Sequence, residues 1–100
     1  MKRAKTQDAK FKFRLYVASN AQNSERAVAN LGALCRSYLP NRYEIEVVDV
    51  FDTPKRALSD GIFMTPTLIK LAPPPVRRMV GTLSQTRPLL LALGLEPLES

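Results

Sequence analysis

One thiol, Cys35, and no histidine set the limits of the chemistry available to this chain. A lone cysteine can neither close an internal disulfide nor furnish the repeated thiolates of a structural zinc site. Without imidazole, the commonest general base and metal ligand are both missing, and carboxylates, lysines and the thiol are what remain. Cys35 falls at three- and four-residue spacing with Ala27, Val28, Leu31, Leu34 and Tyr38, which places it on the apolar face of a helix as a small packed hydrophobe. The expectation is a protein without a catalytic centre, metal or cofactor that works by docking onto other proteins. A thiol-dependent enzyme is the rival reading, and it requires Cys35 to be accessible.

Charge offers a second class, nucleic-acid binding, through the net +6 of the 100 residues. Residues 1–14, however, hold six of the cations against Asp8 alone, which leaves +1 for the rest of the chain. A solubilising basic leader over 1–10 is therefore preferred to a phosphate-binding surface. No apolar run nears the roughly 20 residues of a membrane span, and no signal-like apolar core follows the basic start. The expectation is a soluble, cytoplasmic protein of one domain over 11–95, with a short tail at 96–100.

The elements follow from periodicity. Phe11, Phe13, Leu15 and Val17 alternate with Lys12, Arg14 and Tyr16, a period of two that predicts a strand. Ser19, Asn20, Asn23 and Ser24 supply turn and N-cap chemistry before the amphipathic helix, which ends near Pro40. Tyr43 to Val50 is rich in β-branched residues and predicts a second strand, parallel to the first across the helical crossover. Thr53 and Pro54 resemble an N-cap and first helical position, so a short helix over Lys55 to Asp60, stopped by Gly61, is expected. Thr67 to Leu71 and Val76 to Val80 predict two more strands, and Ser84 or Thr86 is expected to cap a last helix through Leu89, Leu90, Leu91 and Leu93. The run Leu89 to Leu95 can also be drawn as a strand, because a continuous apolar run has no diagnostic period.

The order βαβαββα is a thioredoxin-like α/β topology. A redox protein of that topology carries a C-x-x-C pair where the first strand meets the first helix. Asn20-Ala21-Gln22-Asn23 stands there instead. Pro66, within Thr65-Pro66-Thr67, occupies the place where such folds usually hold a cis proline, and local sequence alone leaves a trans bond equally open. The second strand lies at a sheet edge in this topology, open to a partner strand, with Glu44 and Glu46 placed to guard it.

LYVASN (15–20), NSERA (23–27), VVDVFDTP (47–54), TPTL (65–68) and PPPVRRMVG (73–81) together resemble the KaiB family of circadian-clock proteins, from about Phe13 to Leu95. The resemblance implies a metamorphic protein with two folds: a βαββααβ ground state that self-associates to dimers and tetramers, and a thioredoxin-like monomer that binds the KaiC ATPase. It implies further partners at that complex, a KaiA-like protein or a sensor kinase, and leaves a stand-alone sensor or adaptor domain as the alternative. By the same resemblance, Arg26, Arg77 and Arg78 match family arginines, and Asp49, Val50, Phe51, Asp52 and Pro54, with Ile62 and Phe63, match the region that faces KaiC. Phe51 fits the core equally well. Pro66, Pro73, Pro74 and Pro75 lie where the two folds diverge, and isomerisation of X-Pro bonds, with a barrier of about 20 kcal/mol, is expected to slow their exchange. Ala92 replaces a common family glycine and favours a helical ending, which Gly94, in place of an aspartate, partly offsets if it lies inside the helix. Gly61 replaces a family lysine, a departure that bears on any KaiA-like partner.

Overall fold

In the computed structural model, residues 10–19 and 21–95 are described. Most of the expected leader (1–9), Asn20 and the tail at 96–100 lie outside the described residues.

Strand β1 (Phe11–Val17) directs Phe11, Phe13, Leu15 and Val17 into the main core, as the alternation requires. Tyr16 departs from that pattern: it is fully buried on the opposite face, in a second cluster with Val48, Ala57 and Ile69. Both faces of the sheet are therefore covered at this end. β1 pairs in parallel with β2 (Tyr43–Asp49) and antiparallel with β3 (Thr67–Ala72), which pairs antiparallel with β4 (Arg77–Val80). The resulting order, β2-β1-β3-β4, leaves β2 and β4 as edges.

Helix α1 (Gln22–Tyr38) packs Ala27, Leu31, Leu34 and Cys35 onto the main core, with each buried leucine contributing about 1.5–3 kcal/mol. Val28, expected on that face, is 41% exposed. The expected cap is also corrected. Ala21 occupies the N-cap position without a side-chain bond, and Ser24 lies inside the helix, where its hydroxyl accepts the Ala18 N–H at 3.0 Å.

Helix α2 (Pro54–Ser59) covers the second cluster through Ala57. Thr53 is its N-cap residue, but the threonine hydroxyl donates to the Asp49 carbonyl instead of capping. Helix α3 (Thr86–Leu93) resolves the leucine run as helix. Leu89, Leu90 and Leu93 are buried and Leu91 faces solvent, while Pro88 sits in the first turn, where it costs no backbone bond. Its N-cap position belongs to Gln85, without a side-chain bond, rather than to Ser84 or Thr86. Gly94 ends the helix in the left-handed region at φ 80°, donating its N–H toward Leu90 and Leu91. It therefore adds to the preference of Ala92 for the helix rather than offsetting it.

The peptide bonds Thr65–Pro66, Ala72–Pro73 and Pro74–Pro75 are cis. Among the described residues no helix is long and apolar enough to cross a membrane.

Candidate docking face

The pairing register brings the C-terminal ends of β1 and β2, the start of β3 and the end of β4 to one end of the sheet. Four connections gather there: the start of α1, the turn from Asp49 into α2, the loop 61–66 and the exit from β4. Asp49 organises the first turn of that surface. Its carboxylate accepts the Phe51 N–H at 2.8 Å and the Ser19 hydroxyl, and these bonds hold its pKa below the usual carboxylate range. The Asp52 and Thr53 N–H groups both donate to its carbonyl. With the backbone so occupied, Phe51 projects outward and is 70% exposed, which removes the core reading of this residue.

Across the same end, Leu58 is 75% and Phe63 91% exposed, and Met64 is also open to solvent. Ile62, Phe63, Met64 and Val80 line a cavity of about 210 Å³ with Gly61 and Arg78. Large apolar side chains gathered at one end of a small domain mark an interaction surface rather than scattered surface hydrophobes.

A partly exposed charged network ties β1, β2 and the end of α2 together beside this face. Arg14 donates to Glu46 at 2.9 Å and to Asp60 at 3.1 Å, and Arg56 donates to Glu46 at 2.8 Å. The Tyr16 hydroxyl donates to Asp60 at 2.5 Å, and burial first, then this bond, raises the Tyr16 pKa. Arg78 donates to the Asp60 and Gly61 carbonyls, fixing the loop that carries Ile62 and Phe63. Hydrogen bonds from Arg56 and Arg14 hold the Glu46 carboxyl down at about 2, and those from Tyr16 and Arg14 lower that of Asp60. Both groups have folded pKa values below their unfolded ones, so their stabilisation is complete above about pH 4.5 and is lost as acid approaches the folded values. Thermal melts between pH 5 and pH 2 are expected to show a falling midpoint, and Glu46→Gln is expected to flatten the fall. An unchanged slope would remove Glu46 as its source.

The structure separates part of the sequence-derived set. Asp49, Val50, Phe51, Asp52, Pro54, Ile62 and Phe63 share the end just described, and exposed Arg26 stands in the second turn of α1 at that end. Arg77 and Arg78 do not form one patch. Arg78 pairs with Ile69 and faces α2, whereas Arg77 pairs with Lys70 and faces the α1–α3 side. Pro73, Pro74 and Pro75 form the β3–β4 turn at the opposite end of the sheet, away from Pro66. Leu58, Met64 and the Arg14–Glu46–Asp60 network escaped the sequence reading. The run Ile62-Phe63-Met64 directly after Gly61 was the available signal for Met64, since three consecutive apolar residues in a loop lack a core position.

Cys35 is fully buried, and desolvation pushes its thiol up to about 11, opposed by the charge of Arg36. Burial and the raised pKa both disfavour the exposed thiolate that nucleophilic chemistry needs. An aromatic disulfide reagent at pH 8 is expected to label the native chain at least about 100-fold more slowly than the denatured chain. Labelling at the denatured rate would reopen the thiol-enzyme reading.

The family model described as the KaiB domain matches residues 14–95. Among curated proteins, the chain is 42% identical over 84 residues to "Circadian clock protein KaiB3" of Synechocystis sp., covering 84% of this chain and 82% of that protein. It is 44% identical over 82 residues to "Circadian clock oscillator protein KaiB" of Prochlorococcus marinus, covering 82% of this chain and 77% of the relative. Solved structures share its fold. Chloroplastic thioredoxin z aligns with a TM-score of 0.72 at 15% identity, covering 90% of this chain and 80% of that one. The N-terminal domain of Synechococcus elongatus SasA aligns with a TM-score of 0.70 at 19% identity, covering 91% and 90%.

Proposed function

Because this chain belongs to the KaiB family of circadian-clock proteins, we propose that it is a non-enzymatic regulator that binds a KaiC-type ATPase in the thioredoxin-like conformation, in the cytoplasm, and controls the access of other proteins to it. The observation that carries this reading is the exposed apolar end of the sheet, above all Phe63 at 91% exposure beside an apolar cavity. Asp49, Val50, Phe51, Asp52, Pro54, Ile62 and Phe63 supply the docking surface in this proposal, and Arg26 its flank. Arg78 holds the loop through backbone carbonyls and acts by positioning Ile62 and Phe63. Arg77 faces the other side of the sheet and lies outside the surface proposed here.

The open edge of β2 is a second route, available to a KaiA-like protein or a sensor kinase adding a strand. Glu44 is engaged there with Lys10 at 2.8 Å, and Glu46 with Arg14 and Arg56, so an incoming strand meets paired rather than free carboxylates. The test of the main reading is titration of a purified KaiC-type ATPase with this chain by calorimetry, in the presence of nucleotide. Saturable binding supports the proposal, and its absence at hundred-micromolar concentrations overturns it.

A stand-alone sensor-like domain is the second reading, favoured by the fold shared with the SasA N-terminal domain. Light-scattering mass separates the two. A chain that stays monomeric and helical at Leu89 to Leu93 at all concentrations supports the sensor-like reading, whereas a dimer or tetramer in exchange with the monomer supports the regulator with a stored ground state. Pro66, Pro73, Pro74, Pro75, Ala92 and Gly94 remain the positions assigned to that exchange.

A further inference from the structure

The connection from β4 to α3 is held differently from the rest of the fold. Gly81 is anchored to the sheet by its N–H, which donates to the Pro66 carbonyl at 3.0 Å. One residue later, the Asn30 side-chain amide of α1 donates to the Thr82 carbonyl at 2.7 Å. Leu83 then adopts φ 63°, a left-handed conformation that a side chain with a Cβ resists. Leu83 packs against the main core between two surface grooves of about 320 and 230 Å³, both lined by Leu83 and Ser84. At the far end of α3, the Lys70 ammonium lies beneath the helix, 3% exposed, 5.8 Å from the Phe11 ring and 3.4 Å from the Leu93 carbonyl. Between these points α3 is docked by Leu89, Leu90 and Leu93, whose contacts have no directional preference.

We propose that the Asn30–Thr82 hydrogen bond is the latch of a releasable α3: breaking it lets Leu83 leave its strained conformation and lets the helix lift from the sheet while β1 to β4 stay folded. The strain at Leu83 favours opening, and docking α3 also seals a lysine away from water, a cost that its hydrogen bond to the Leu93 carbonyl offsets in part. The directional bond from Asn30 opposes these terms at the hinge itself, where a small displacement of Thr82 is carried into the whole helix. This inference concerns motion of the free chain and needs no partner.

Native-state hydrogen exchange on the full chain, read by NMR, tests it through the amides of Leu90 to Leu93 against those of Phe13 and Leu15 in β1. Asn30→Ala is expected to speed exchange in α3 about tenfold, the factor associated with an ordinary side-chain hydrogen bond, with β1 unchanged. Asn30→Leu, which keeps bulk and improves the helix propensity of α1, is expected to give the same acceleration. Equal acceleration in β1 would make the bond part of global stability, and unchanged exchange in α3 would remove the latch. Acceleration in Asn30→Ala alone would assign the effect to lost volume, and each of these three results overturns the proposal.

Discussion

Replacing Phe63 with aspartate is expected to weaken binding to a KaiC-type ATPase by about 100-fold or more while leaving the thermal midpoint of the free chain nearly unchanged. The asymmetry follows from where the ring lies. At 91% exposure it makes almost no contact that folding depends on. If it is the central anchor of an interface, a carboxylate there must be desolvated against an apolar partner surface, and truncation of such an aromatic anchor commonly costs 2 kcal/mol or more. Leu91→Asp is the control, since Leu91 is 62% exposed but lies on α3. It is expected to bind like the parent chain. Loss of binding in both variants would point to a general requirement for surface hydrophobicity, and normal binding by Phe63→Asp would move the docking surface elsewhere. Calorimetry gives the affinity, and circular dichroism melts confirm that the fold is intact.

The second large effect belongs to the leucine run. Leu90→Ala is expected to destabilise the chain by about 2–5 kcal/mol, because Leu90 is fully buried and its removal leaves a cavity between α3 and the sheet. Leu91→Ala is expected to stay within about 0.5 kcal/mol of the parent, since the side chain already faces water. For a domain of this size each kcal/mol moves the melting midpoint by about 4–8 °C, so the two variants separate clearly. The pair also distinguishes helix from strand. A helix buries Leu89, Leu90 and Leu93 and exposes Leu91, whereas an extended chain groups Leu89, Leu91 and Leu93 on one face. Equal destabilisation by the two alanines would mean that the solution fold is not the one described.

Where the sequence could be read, one physical signal dominated its neighbours. The alternation in Phe11–Val17 placed β1 and its inner face, and the three- and four-residue spacing of Ala27, Leu31, Leu34 and Cys35 placed α1. Tyr16 was misplaced because alternation assumes that one face of the strand is wet. In fact α2, only six residues long, covers the second face where Tyr16 emerges. Both misread caps share another cause. Ser24 and Thr86 are good capping residues by type, but the strand ends and loop lengths set the helix entry, and the N-cap positions fall on Ala21 and Gln85.

Lys70 was illegible for a related reason. A lysine in a strand reads as a solvated surface residue, and only the docking of α3, a tertiary event, seals it. The network at Asp60 joins residues from β1, β2 and α2, and no local pattern connects them. In the candidate face, the turn from Asp49 to Pro54 and the pair Ile62–Phe63 came from family resemblance, and the geometry adds Leu58, Met64 and the supporting role of Arg78.

The opposite directions of Arg77 and Arg78 make the length of the proline turn a reading frame. Side chains alternate along β4, so deleting any one of Pro73, Pro74 or Pro75 while keeping the register would carry Arg77 over to α2 and send Arg78 toward Lys70. Met79 would then stand opposite Ile69, and the loop bearing Ile62 and Phe63 would lose the guanidinium that holds its carbonyls, although no charged residue had been substituted. The number of residues in that turn is thus information in its own right, separate from their identity.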